Sequence, residues 1–495
     1  MGAKAYLSLL FAKYIVAKNN SWKKNPIKYQ ERILSELINR AKNTAFGKKH
    51  CFSKIKSYDD FKRMVPVRDY EGLRPYIERT LKGEGGVLWP KKPIYFCKTS
   101  GTTSGTKYIP ITKESMPNHI VAARDSILCY IAETKNTSIV DGKMIFLQGS
   151  PKLTKTSGIL TGRLSGIVAH HIPFYLKTNR LPSFKTNCIS DWEKKLDAIV
   201  EETVSQNMSL ISGIPPWVQM YFEKLEKKTG KLIKHVFPNF GLFIYGGVNF
   251  EPYKNTFKRL IGKSVHGVEL YPASEGFIAY QDSQTERGML LCTNHGIFYE
   301  FIRAKEFSNE SAERISLAGV EIGVDYVVIL NTNAGLWGYN IGDTIKFIST
   351  SPYRIIVSGR IKHFISAFGE HVISEEVERA LNGALEKYPS EINDFHVAPQ
   401  VNPKTGPAHH EWFIEFVKRP EDMSLFGSFV DKLLQKQNSY YKDLVLGGVL
   451  GPLKITIIKK NGFRNYMKSI GKLGGQNKVP RLANDRKIAE KLKLF

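Results

Sequence analysis

Apolar residues recur at helical spacing in several parts of this 495-residue chain. Across 28–46, Ile33, Leu34, Leu37, Ile38 and Ala41 share one face and predict a helix. Asp191 to Val204 repeats the pattern with Trp192, Leu196, Ile199 and Val200. Pro215-Pro216 opens a helix through Glu226, because proline is tolerated in a first helical turn. A short helix starts at Asp59-Asp60-Phe61 and stops before Pro66. Between these helices run short apolar segments: Met144–Gly149, Leu210–Gly213, Gly241–Gly247 and Val265–Tyr271. A helix over Tyr253–Ile261 separates the last two. Strands alternating with helices predict βαβ units, hence an α/β fold with a largely parallel sheet.

The pattern changes after about Gly276. Short alternating runs such as Gly296–Ile302 and Tyr326–Leu330 predict an antiparallel sheet or barrel-like part. From Tyr353 the chain mixes strand and helix again. A strand ends at Val357, Gly359 makes a turn, and a helix capped at Ser374 covers Glu375–Lys387. Trp412–Val417, Phe426–Gln437 and Lys454–Lys459 then read as strand, helix and strand. The reading divides the chain into a large N-terminal domain, 1–355, and a small α+β C-terminal domain, 356–495.

Composition narrows the classes. The chain is too long for one ordinary core, and 42% hydrophobic with 24% charged residues is normal for a soluble globular protein. A formal net charge of +26 favours anionic partners such as a nucleotide, a nucleic acid or an acidic membrane surface. The charges are spread out, without the dense basic block of many nucleic-acid binders. Five scattered cysteines without a C-x-x-C pair point to a reducing, cytoplasmic setting. No Cys/His cluster has zinc spacing. The apolar stretch Ala5–Val16 is broken by Lys13 and is read as an amphipathic helix lying on the body; no run of 18 apolar residues predicts a membrane span.

The stretch with most chemical content is Lys98-Thr-Ser-Gly-Thr-Thr-Ser-Gly-Thr-Lys107, between the strand-like Pro93–Cys97 and Tyr108–Thr112. A flexible loop rich in N–H and hydroxyl donors, ending in lysine, is suited to cradling phosphate. Its glycine spacing is not that of a P-loop, which also runs into a helix. Ser104-Gly-Thr-Lys107 is formally the Ser-x-x-Lys of serine acylases, but the strand that follows weighs against that. Tyr271-Pro-Ala-Ser-Glu275 follows a strand and offers an aromatic to stack on a purine, with a hydroxyl and a carboxylate for Mg²⁺ on phosphates. Tyr339-Asn-Ile-Gly-Asp343, read as an antiparallel turn, offers an aspartate for ribose hydroxyls. Ser358-Gly-Arg-Ile-Lys-His363 precedes Phe368-Gly-Glu-His-Val-Ile-Ser-Glu-Glu376, and Gly474-Gly-Gln-Asn-Lys-Val-Pro-Arg481 places Lys478 on a glycine-flanked segment.

In this order the motifs resemble those of the acyl-adenylate-forming superfamily, which includes firefly luciferase and acyl-CoA ligases. Further stretches resemble the auxin-responsive Gretchen Hagen acyl acid amido synthetase family: Asn43–His50, Asp59–Pro66, Ser212–Trp217, Tyr245–Tyr253 and Gly296–Phe301. The resemblance runs over nearly the whole chain. It implies ATP-dependent joining of a carboxylic acid to an amine, with an amino acid as the expected amine, and a C-terminal domain that rotates about Ser349–Gly359. By motif, Ser100, Gly101, Thr102 and Thr103 would hold the phosphates, with Lys107 nearby. Gly246 and Gly247 would border the adenine and Tyr271 would stack near it. Ser274 and Glu275 would serve phosphate and Mg²⁺, Asp343 the ribose with Arg360 in support, and Lys478 would be the mobile lysine. Asn340 stands where the family usually has arginine, and Thr99 where it has serine. The acid is expected in an apolar pocket near Phe146–Gly149, Gly166 and Tyr245. Rival readings are an acyl-CoA ligase with the same first step, a serine acylase using Ser104 and Lys107, and a basic nucleic-acid-binding protein.

Overall fold

A computed structural model describes residues 3–102, 105–172, 179–248, 250, 253–307, 309, 312–361, 364–470 and 479–495. The hydroxyl-rich stretch, expected as a loop, is mostly a β-hairpin. β1 (Tyr95–Thr102) pairs antiparallel with β2 (Gly105–Ile111), Thr99 opposite Lys107 and Thr102 opposite Gly105. The apolar, β-branched flanks extend the ladder into the motif, so strand pairing overrides glycine there. β3 (Lys143–Leu147) lies in another sheet, while β4 (Thr154–Thr156) and β5 (Ile159–Gly162) complete the order β2-β1-β5-β4.

One twelve-stranded sheet carries most of the rest. Its parallel part holds β3, β6 (Arg180–Leu181), β7 (Met208–Gly213), β8 (Leu242–Gly246) and β9 (His266–Ala273). Its antiparallel part holds β10 (Gly276–Tyr280), β11 (Met289–Leu291), β12 (Ile297–Arg303), β13 (Ile315–Ser316), β14 (Asp325–Thr332), β15 (Tyr339–Thr350) and β16 (Tyr353–Arg360). The order is β13-β12-β14-β15-β16-β11-β10-β9-β8-β7-β3-β6, so both parts share one sheet. The helix Trp192–Thr203 buries the face its spacing predicts, and Pro215–Thr229 buries Val218, Tyr221, Phe222 and Leu225. Asp191 caps the first by accepting from Lys194 N–H, and Gly230 ends the second in a left-handed conformation.

Two local expectations are corrected. Tyr339–Asp343 is not a turn but the start of β15. Val327 faces Thr344 while Ile329 faces Asn340, so one residue on β14 opposes three on β15 and the strand bulges at Ile341–Asp343. Gly359 is not a turn either: β16 continues to Arg360, paired with β15, and through Arg354 and Ile355 with β11. Ser349–Gly359, the stretch expected as the hinge, is a paired hairpin within the sheet. The boundary expected after 355 falls inside that strand.

Beyond Arg360 come the ribbon of β17 (Phe364–Ile365) and β18 (Val372–Ile373) and the sheet of β19 (Glu391–Gln400), β20 (His409–Lys418) and β21 (Lys454–Ile457). The helix Ser374–Lys387 begins at Ser374, which is its first residue and not its cap; Glu376 reaches back to the Ile373 N–H at 3.0 Å. A single apolar cluster contains Trp192, Leu196, Tyr221 and Phe257 together with Phe368, Val372, Trp412 and Tyr441, so the C-terminal unit shares a core with the helices beside the large sheet.

Candidate active site

The carboxyl ends of β3, β7, β8 and β9 lie side by side because these strands pair in parallel. Ligands of open α/β sheets gather outside such ends. Gly246 ends β8, where a Cβ would lie 2.2 Å from the Leu270 carbonyl oxygen; the approach of β9 demands glycine. Gly247 follows with φ +80°, and a Cβ there would meet only Ile214, at 3.6 Å.

β9 turns into β10 with Ala273 opposite Gly276, which puts Ser274 and Glu275 at the tip of a two-residue hairpin. Ser274 Oγ accepts from the buried Cys97 thiol at 3.0 Å, tying this tip to β1. Burial pushes that thiol up to about 12. The Tyr339 hydroxyl, fully buried, donates to Glu275 Oε1 at 3.1 Å. Enclosure raises the Glu275 carboxyl above its ordinary value, against the pull of the Lys107 ammonium and the Tyr339 bond.

The β15 bulge presents Asp343 to both neighbours. Tyr271 donates its hydroxyl to Asp343 Oδ2, and Arg360, directly across the β15–β16 ladder, donates Nε–H to Oδ1. Burial raises the Tyr271 phenol well above its usual range, and the adjacent carboxylate adds to this. A carboxylate has about four acceptor sites, so Asp343 retains capacity for further hydroxyl donors. Asn340 acts locally, its side-chain oxygen accepting from Gly342 N–H at 2.8 Å and closing the bulge.

The structure thus brings Lys107, Tyr271, Ser274, Glu275, Asp343 and Arg360 into one connected cluster beside β1, with Gly246 and Gly247 on the same sheet edge. The backbone of Ser100, Gly101 and Thr102 lies in β1; their side chains, Thr103 and Lys478 are outside the described residues. Two described cavities lie elsewhere, one of about 10 Å³ beneath Leu88 and Trp89 and a groove of about 430 Å³ along Met423–Ser428 and Pro452–Ile457.

The motif reading did not give roles to several residues now at the site. The turn Phe368–His371 sits over the sheet edge: a Cβ on Gly369 would lie 3.5 Å from Ile214, and Tyr253 donates to the Ala367 carbonyl at 2.8 Å. Glu370 and His410, both fully buried, bond at 2.8 Å and hold this turn to β20. His371, at φ +51°, is pushed down to about 3 by enclosure first, then by the Arg360 and Lys107 cations. From the same unit, Tyr440 donates to the Lys98 carbonyl at 2.8 Å; the Arg163 guanidinium lies 4.0 Å from the Tyr440 ring centre and pairs with Asp443. Only Gly-Glu-His at 369–371, beside the quoted Gly-Arg, carried a sequence signal; long-range partners such as Cys97–Ser274 and Tyr440–Lys98 carry none.

The parallel strand ends of β8 and β9, with Glu275 on the hairpin that follows, thus stand beside Asp343 and Arg360 of the antiparallel part and Lys107 of the neighbouring sheet, in an α/β fold with a second α+β unit seated over them. The chain belongs to the GH3 family. The family's N-terminal domain matches residues 17–191, its central domain 290–360 and its C-terminal domain 375–487. One relative is the indole-3-acetic acid-amido synthetase GH3.3 of Arabidopsis thaliana, 21% identical over 94% of this chain and 90% of that protein. Among solved structures, the GH3.15 acyl acid amido synthetase superposes with a TM-score of 0.61 at 17% identity, over 97% of this chain and 95% of that one. A 2-hydroxyisobutyryl-CoA ligase bound to 2-HIB-AMP and CoA in its thioesterification state gives 0.58 at 14% identity, over 94% and 92%. At such identities these superpositions speak to the fold alone.

Proposed function

We propose that this protein is an ATP-dependent acyl acid amido synthetase. A carboxylic acid attacks the α-phosphate of ATP, releasing pyrophosphate and leaving an acyl-adenylate. An amine, taken here to be that of an amino acid, then attacks the acyl carbon and expels AMP. The observation that carries this reading is Asp343, held by Tyr271 and Arg360 next to the Glu275–Lys107 pair in a chain of this family.

In the proposed site Asp343 accepts the ribose hydroxyls, and Tyr271 and Arg360 fix the orientation of its carboxylate. The β1–β2 hairpin, with Ser100 to Thr103, lies along the phosphates. Lys107 and, from the C-terminal unit, Lys478 offset charge building on the phosphoryl oxygens, the main catalytic need in such transfers. Gly246 and Gly247 leave the strand edge bare for the adenine. The donor set suits Mg²⁺ held mainly by phosphates: among the described residues no three His, Cys, Asp or Glu side chains converge, and Glu275 with Ser274 offers one carboxylate and one hydroxyl. Bound there, the ion would neutralise phosphate charge. Between the two steps the C-terminal unit rotates, carrying His371 and Tyr440 past β1. A neutral His371 adds no charge to a phosphate site that already holds Arg360 and Lys107.

Pyrophosphate–ATP isotope exchange across a panel of carboxylic acids tests the first step, and product analysis with amino acids or CoA tests the second. Exchange is expected with at least one acid, and amides as products. Asp343→Asn and Lys107→Ala are each expected to lower exchange by about 10²-fold, the scale for loss of one transition-state contact. Wild-type exchange in both variants overturns the site assignment. Thioesters with CoA and never amides would move the protein to the acyl-CoA ligases.

A further inference from the structure

The stretch Ala5–Val16, expected as an amphipathic helix lying on the body, is part of the helix Ala3–Lys24. One face lies on the body: Ala5, Ala12, Ile15, Asn19 and Trp22 are buried, and the helix lies along Met116–Thr134. The opposite face is apolar as well. Tyr6 is 55% exposed, Leu7 63%, Leu10 46%, Phe11 43% and Tyr14 61%. At helical geometry these five side chains fall within an arc of about 140° and along about 12 Å of axis. Single exposed leucines are ordinary, whereas five large apolar side chains in one stripe mark an interaction surface.

The charges around the stripe say what it meets. The helix contains Lys4, Lys13, Lys18, Lys23 and Lys24 and no aspartate or glutamate. Lys13 is exposed at one edge of the stripe and Lys18 beyond its C-terminal end, while Lys23 turns inward to Asp282 at 2.9 Å. The Arg124 guanidinium stands 5.8 Å from the Phe11 ring centre, paired with the buried Asp125 at 2.7 Å. A two-fold contact between copies would set these lysines against each other, between chains that each carry +26. No described helix is long and apolar enough to cross a membrane, so the face is not part of a span.

We propose that this face docks the protein on an anionic lipid surface, with the helix lying in the plane of the headgroups. Leucine and aromatic residues on one side, bordered by lysines, match a helix that inserts shallowly at the interface. The basic border is drawn to acidic headgroups and weakens as salt screens it. The opposite, buried face keeps the enzyme body attached above the bilayer.

Co-sedimentation of the full chain with phosphatidylcholine–phosphatidylserine vesicles tests this, with pure phosphatidylcholine vesicles and raised salt as the other arms. Binding is expected only to the anionic vesicles, falling with salt. Leu10→Glu with Phe11→Glu is expected to reduce the bound fraction roughly tenfold or more, with pyrophosphate exchange and thermal melting unchanged. Should that variant melt early, Tyr6→Ser with Tyr14→Ser carries the same expectation. The proposal is overturned if anionic vesicles bring down no protein at low salt, or if well-folded variants bind as wild type does. It is also overturned if light scattering shows a doubled mass that the variants abolish, which assigns the face to a second copy.

Discussion

Asp343 illustrates what a motif can and cannot carry. Its residue type and its place in Tyr-x-x-Gly-Asp were legible, as were Arg360 and Tyr271. That Tyr271 and Arg360 clasp opposite oxygens of one carboxylate was not, because 72 positions separate Tyr271 from Asp343. Asn340 closes the bulge itself. Histidines give a prediction at this scale. Burial lowers His119 and His295 to about 4, the His295 charge opposes that of His119 as well, and neither Nδ1 has a hydrogen-bond partner. The fold favours the neutral rings, so their stability contribution is complete above the ordinary value of 6.5 and is lost as pH falls from there toward 4. The loss is on the order of a few kcal/mol. Urea midpoints are expected to fall as the pH is lowered from neutral into the mildly acidic range, and His119→Gln should flatten that slope; a level wild-type profile contradicts the account.

Elements were read best where period and punctuation agree. The helix opened by Pro215-Pro216 and the strand before Gly246-Gly247 sit where the pattern placed them. The errors fell at glycines. Gly101, Gly342 and Gly359 invited a loop and two turns, yet all three lie within strands whose flanking residues pair with neighbouring strands. Glycine's freedom is a local property, and pairing partners distant in sequence decide how it is used. Gly246 shows the packing use, with a substituent forced to 2.2 Å from the Leu270 carbonyl oxygen. Gly246→Ala is therefore expected to destabilise the protein by about 1–3 kcal/mol, the cost of an overpacking contact that the backbone must shift to relieve. Gly230→Ala, with open space around it but φ +66°, should cost less; the order of the two urea midpoints checks the argument.

At the scale of the molecule, the sequence reads as two parts and carries no signal of how they meet. Their contact rests on Tyr440 at the Lys98 carbonyl, Arg163 between Tyr440 and Asp443, and Gly447 against Trp192, where a Cβ would come to 2.6 Å. Arg163 and Asp443 are partly exposed, so the ion pair itself contributes little, and the ring and hydrogen-bond contacts carry more. Replacing Tyr440 by alanine is expected to shift the balance of arrangements by about 1–2 kcal/mol, a factor of roughly 5–30. Single-turnover measurements should show adenylation and amide formation changing by different factors; equal changes would detach the contact from the proposed rotation.

The shared apolar cluster joining Trp192 and Phe257 to Phe368 and Tyr441 has a thermal consequence. Any swing that parts these side chains wets oily surface, and wetting raises heat capacity. Cooling weakens the cohesion that seats one unit on the other. The two halves of this protein are accordingly held together less firmly in the cold than in the warm, with no change in any residue.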